Sequence, residues 1–136
     1  MRPILIDTNA YSAFKLAVPA IVDIIQHAEK IAITPIVLGE LMSGFDAGNK
    51  SLKNREELRQ FLSSSRIRFY PMSMDTPNFY SKIYVSLKKK GMPIPTNDLW
   101  IAAQAMEHGC AVCTYDKHFM AIDGLVVGTN YAELAM

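Results

Sequence analysis

The chain has 136 residues, half of them hydrophobic and a fifth charged, a profile that fits one packed domain over 1–136 and excludes disorder or a second core. A net charge of +1 excludes a protein that draws in nucleic acid through a large overall field, so any polyanion must be met by local patches. No apolar run approaches the roughly 20 residues needed to span a bilayer, and Asp7 interrupts any signal-peptide core, so a cytoplasmic protein with no membrane partner is expected.

Ile4 to Asp7 is a short apolar run that stops at an acid, and Thr8 and Asn9 favour caps and turns, which reads as a strand followed by a helix start. Residues 18 to 29 place Ile21, Val22, Ile24, Ile25 and Ala28 at helical spacing behind Pro19. Ile31 to Pro35 is a second β-branched run. It leads into a helix over 36–46 whose buried stripe is Leu38, Leu41, Met42 and Phe45. A charged amphipathic helix over 51–64 turns Leu52, Leu58, Phe61 and Leu62 inward, and Arg66 to Tyr70 alternates as a third strand.

Residues 75 to 90 form a helix that ends at Gly91 with lysines in its last turn, as the helix dipole favours. Met92-Pro93-Ile94-Pro95 is a rigid lead-in, because each proline disfavours helical backbone at the residue before it. Thr96-Asn97-Asp98 then supplies caps for a helix to about His108, with Leu99, Ala102, Ala103 and Met106 inward and Gly109 as its stop. Ala111 to Tyr115 is a strand, Asp116 a turn, and Leu125 to Val127 a last short strand.

This alternation predicts a three-layer α/β/α sandwich with a mainly parallel central sheet, in which sites lie beyond the carboxyl ends of the strands. Asp7 and Asp116 both end predicted strands, and Asp98 opens a helix that precedes one of them. Glu40 lies about 200° around its helix from Leu38, on a side shared with Gly39, Ser43 and Gly44, which leaves room for a ligand. Each acid also has an ordinary explanation: Asp7 as a cap, Asp98 as a dipole partner, Asp116 as a turn residue, Glu40 as a solvated side chain. Placed together at one sheet edge they repel one another, unless a cation sits between them.

Four segments carry a resemblance. Ile4-Leu5-Ile6-Asp7-Thr8-Asn9, Ile33-Thr34-Pro35-Ile36-Val37-Leu38-Gly39-Glu40-Leu41, Ile94-Pro95-Thr96-Asn97-Asp98-Leu99-Trp100-Ile101-Ala102-Ala103 and Thr114-Tyr115-Asp116-Lys117-His118-Phe119 together resemble the PIN domain. More specifically, they resemble the VapC toxins of bacterial and archaeal toxin–antitoxin pairs. The segments span nearly the whole chain in the family's order, and the third is the most specific; residues 46 to 93 match no family motif.

The resemblance implies an endoribonuclease that depends on Mg²⁺, with Mn²⁺ as the alternative ion, and that cleaves RNA with an activated water in line with phosphorus. It makes Asp7, Glu40, Asp98 and Asp116 the catalytic acids. Asp7, Asp98 and Asp116 would hold metal, Glu40 would orient the water, and Thr8, Asn9 and Thr114 would support them, Thr114 by holding Asp116 or a water. It implies an antitoxin partner, and the apolar stripes Ile21, Ile25, Ala28 and Leu38, Met42, Phe45 suggest surface for a homodimer or an antitoxin helix.

Other readings are weaker. A phosphatase needs a second acid two residues after the first, where this chain has Asn9, and the glycine-rich loop of a nucleotide hydrolase is absent. A catalytically silent PIN-like module that binds RNA or antitoxin remains the alternative. Cys110 and Cys113 fall in a predicted buried strand, where they point to opposite faces and serve as core. Phe119 beside His118 looks like core, which favours a structural role for His118 over a phosphate contact. The basic runs Lys50, Lys53, Arg55, Arg59, Arg66, Arg68 and Lys82, Lys88, Lys89, Lys90 read as solvated helix faces.

Overall fold

A computed structural model describes residues 2–135. Strands β1 (Ile4–Ile6), β2 (Ile31–Ile33) and β4 (Ala111–Cys113) are short apolar runs with every residue buried. Continuous rather than alternating hydrophobicity is what a parallel sheet covered on both faces demands. Half-exposed strands β3 (Ile67–Phe69) and β5 (Val127–Gly128) close the two edges, in the order β3-β2-β1-β4-β5, with every pairing parallel. Around this sheet lie α1 (Thr8–Lys15), α2 (Pro19–His27), α3 (Pro35–Ala47), α4 (Ser51–Leu62), α5 (Thr76–Lys90), α6 (Thr96–Glu107) and α7 (Tyr131–Leu134), which makes the predicted sandwich.

The strand order positions the site. From the central β1 the chain builds β2 and β3 on one side, then returns to place β4 and β5 on the other. The crevice where the winding reverses therefore opens at the carboxyl ends of β1 and β4, the place where such sheets bind ligands. In register, Ile6 faces Cys113, so the residues that follow the two strands emerge side by side.

Several expectations need correction. Leu52 was expected inward but is 88% exposed. It lies six residues before the buried Leu58, about 120° around the helix, whereas Phe61 and Leu62 fall near Leu58's face. Thr96 to Asp98 form the first turn of α6 rather than its cap, which is Pro95. The strand expected to run to Tyr115 stops at Cys113, and the last strand begins at Val127 instead of Leu125. A 3₁₀ helix, Lys117–Ala121, and the short α7 were not anticipated. Ile21, Ile25 and Ala28 are core rather than spare surface, while Leu38, Met42 and Phe45 stay half-buried. Gly91 ends α5 as expected, with a left-handed φ of 69° that only glycine adopts without strain.

Some basic residues assigned to solvent have structural work. Arg66 Nη1 donates to the carbonyls of Ile25 and Ala28, at 2.7 Å each, and so closes the open end of α2. Arg66→Ala is expected to cost about 1–3 kcal/mol of stability in urea unfolding, because two partly buried carbonyls lose a charged donor. Arg66→Lys should recover part of this loss. Among the described residues no helix is long and apolar enough to cross a membrane.

Candidate active site

β1 ends directly at Asp7, which caps α1 and accepts a hydrogen bond from the Thr8 backbone N–H at 2.8 Å. Its other carboxylate oxygen accepts from Thr114 Oγ1 at 2.7 Å, at the end of β4. Thr114 therefore braces Asp7; of the roles expected for it, holding Asp116 or a water, its link to Asp116 is through that residue's backbone N–H, at 3.0 Å. Asn9 Oδ1 accepts from the Tyr115 backbone N–H at 3.0 Å, a second tie between the first helix and the loop after β4.

Glu40 reaches the same place from α3. Thr8 Oγ1 donates to its Oε1 at 2.6 Å, and Asn97 Nδ2 lies 3.4 Å from Oε2. Asp98 enters from the first turn of α6, a helix buried from Ile101 to Ala105 and so held firmly against the sheet. Asp116 caps the 3₁₀ helix by accepting from the His118 backbone N–H at 2.9 Å. Asp7, Glu40, Asp98 and Asp116 thus line one open cleft of ≈ 710 Å³, together with Thr8, Asn9, Ser12, Leu16 and Tyr115.

The electrostatics of the cleft are lopsided, since among the described residues no lysine or arginine lines it. Burial raises the Asp7 carboxyl above its ordinary value, and the charges of Glu40 and Asp116 add to this against the lowering effect of its bonds from Thr114 and Thr8. Asp98 is raised chiefly by burial as well, with Asp116 and Asp7 adding and the bond to His118 opposing. Asp7 and Asp98 are 5% and 8% exposed, so ionising them together without a counter-charge is costly. The carboxylates of Asp98 and Asp116, whose ligand atoms converge with that of His118 within 4.8 Å in a cleft open to solvent, fit a divalent cation that keeps several waters.

Sequence reasoning missed two neighbours of this site. Asn97 had been read only as a cap, and nothing in its spacing pointed to Glu40. His118 had been assigned a structural role because of Phe119, yet its Nδ1 lies 3.0 Å from Asp98 Oδ2 and 2.9 Å from Asp116 Oδ1. Contact with these carboxylates, the Asp98 hydrogen bond first, raises the imidazole above its ordinary range. Cys110 and Cys113 are buried free thiols, both pushed up to about 12 by burial, in keeping with a core role.

A parallel α/β/α sandwich with four carboxylates in the crevice between its first and fourth strands defines the class of protein. Residues 4–125 match the model of the PIN domain. The chain is 34% identical over 98 residues to Ribonuclease VapC2 of Rickettsia felis, covering 71% of this chain and 72% of that protein. Its fold superimposes on the crystal structure of VapBC2 from Rickettsia felis bound to a promoter DNA fragment with a TM-score of 0.79, 27% identity and coverage of 93% and 97%. VapBC-5 from Mycobacterium tuberculosis, a member of the VapBC family of toxin-antitoxin systems, gives a TM-score of 0.68 at 26% identity, covering 94% and 97%. The chain belongs to the PIN domain family, among its VapC members.

Proposed function

We propose that this protein is an endoribonuclease toxin that hydrolyses RNA phosphodiester bonds in the four-acid cleft with a divalent cation, Mg²⁺ or Mn²⁺. The observation that carries the reading is the convergence of Asp7, Glu40, Asp98 and Asp116 on one open cleft without a lysine or arginine in its lining. Asp7, Asp98 and Asp116 would hold the ion. When bound, it supplies Lewis acidity that lowers the pKa of water and offsets negative charge on the phosphate.

The chain's own groups do the positioning. Thr8 N–H and Thr114 Oγ1 each fix one oxygen of Asp7, so that carboxylate presents its remaining lone pairs in one orientation. Thr8 Oγ1 ties down Glu40 Oε1. Oε2 has only the long Asn97 contact, which leaves it free to accept a hydrogen from the attacking water and hold it in line with phosphorus.

A cognate antitoxin and a second copy of the chain are the proposed protein partners. The kinship with VapBC complexes supports the first. Tyr84 and Val85 on the outer face of α5, and the half-buried Leu38, Met42 and Phe45, offer apolar surface for such contacts. Light scattering on the purified protein measures the oligomer directly, and a strict monomer at high concentration would remove the homodimer.

The test of the reaction is cleavage of single-stranded RNA followed by analysis of the ends. With added Mg²⁺ or Mn²⁺ the products should carry a 5′-phosphate and a 3′-hydroxyl, because water rather than the RNA's own 2′-hydroxyl attacks. Full activity in excess EDTA, or cyclic-phosphate ends, would overturn the mechanism. RNA binding without cleavage under all ions would favour the silent module.

A further inference from the structure

The 3₁₀ helix Lys117–Ala121 turns about 120° per residue, so burying Phe119 completely swings its neighbour His118 out over the cleft. There the side chain, 49% exposed, points Nδ1 at Asp98 Oδ2 (3.0 Å) and Asp116 Oδ1 (2.9 Å). One ligand atom from each of the three residues lies within 4.8 Å of the other two. A ring nitrogen carries one hydrogen or one lone pair, so it serves one of these carboxylates well with a straight hydrogen bond, not both. A cation serves all three at once. On a divalent ion with bonds of about 2.0–2.2 Å, ligands at right angles lie about 2.8–3.1 Å apart, a range that takes in the 2.9 and 3.0 Å His118 keeps from the two acids.

We propose that His118 is a direct ligand, through Nδ1, of the divalent cation held by Asp98 and Asp116, and that this nitrogen biases the site toward Mn²⁺ over Mg²⁺. The inference rests on the metal-dependent reading above and adds to it the donor set and the preferred ion. Mg²⁺ holds to oxygen ligands and dehydrates reluctantly, whereas first-row transition ions accept imidazole alongside carboxylate. Three carboxylates alone would leave this choice open. The ring is half-exposed, so an ion can reach the three ligand atoms from solvent.

The experiment adds Mn²⁺ alone to the RNA-free full chain and follows it by pulsed electron paramagnetic resonance, with binding constants for Mn²⁺ and for Mg²⁺ in competition. The other two histidines lie elsewhere: His27 is bonded to Asp23 on α2, and His108 stacks on Tyr70 with ring centres 3.8 Å apart. A nitrogen coupling on the bound ion is therefore assignable. Expected are a directly coordinated ¹⁴N signal in the parent, its loss in His118→Ala, and an Mn²⁺ affinity roughly tenfold weaker in that variant with little change for Mg²⁺. His118→Gln should keep the weak Mn²⁺ binding and likewise lack the signal. Folding is safe in both variants, since the backbone N–H that Asp116 accepts from remains.

Mn²⁺ that binds, that is lost in Asp98→Asn, and that shows no directly bound nitrogen would overturn the proposal and leave the acid site standing. So would tighter Mn²⁺ binding in His118→Ala, which would make the imidazole a competitor for the ion's place. Failure of the parent to bind Mn²⁺ at all would overturn both this proposal and the metal-dependent reading beneath it.

Discussion

Asp98→Asn is expected to lose more than about 100-fold in RNA cleavage while unfolding no earlier than the parent when metal is absent. Asp98 is 8% exposed, is raised above its ordinary value mainly by burial, and faces the charges of Asp116 and Asp7. Asparagine nearly matches its shape and removes the charge, so the desolvation and the repulsion both fall. The bond to His118 weakens in exchange. A residue that only complemented the dipole of α6 would behave in the opposite way: its loss would cost a few tenths to ~1 kcal/mol, and activity would fall only as far as folding does. Thermal unfolding in EDTA, paired with cleavage at saturating metal, reads both quantities on one preparation. A destabilised but active Asp98→Asn would sink the assignment of Asp98.

The second large effect is a stability that depends jointly on pH and metal. Asp7 and Asp98 are both raised in the folded chain, so the folded state binds their protons more tightly than the unfolded chain does. The stability they contribute is present at low pH and is lost as pH rises from the ordinary aspartate value of 3.8 through their raised values. His118, also raised, acts in the same direction: its contribution is full below 6.5 and fades as pH climbs through its folded value. The metal-free protein therefore loses stability as pH rises, first above 3.8 through the two aspartates and then above 6.5 through His118.

A bound divalent cation reverses that trend, because it needs the carboxylates ionised. At neutral pH and a hundredfold excess over Kd, Mg²⁺ or Mn²⁺ should add about 2.7 kcal/mol, several degrees in Tm. The same addition at pH near 4 should do little. Thermal scans across pH with EDTA or with metal measure this directly, and Asp7→Asn should flatten the metal-free slope. A metal-free Tm that rises through the same pH range, with no metal effect at neutral pH, would refute the clustered-acid account.

Much of the fold was legible because local rules and tertiary packing agree. Ile4–Ile6, Ile31–Ile33 and Ala111–Cys113 are apolar on both faces and can only be interior strands. Asp7, where the first of these runs stops, could be read as a site candidate without any partner in view, whereas the order of the four acids along the chain was legible through the resemblance to the PIN domain. The ends of elements were less legible: the strand expected through Tyr115 gives way to a 3₁₀ helix because Asp116 caps it from within the loop.

The amino-acid sequence by itself determined the alternation of strands and helices and the core role of the cysteines, since each follows from periodicity, capping or apolar runs within a few residues; the four acids stood out as a set through the family resemblance, because each alone has an ordinary local explanation. Only the tertiary structure decided what those acids touch. Thr8 meets Glu40 across 32 positions and Thr114 meets Asp7 across 107. Both contacts exist because β1 pairs with β4 in one register and α3 packs against α1, and no local pattern encodes that juxtaposition. His118 shows the same division most sharply. Its core-like neighbour suggested a structural role, but the tight turn of the 3₁₀ helix sends adjacent side chains to different sides, so burying Phe119 is what delivers the imidazole to the carboxylates.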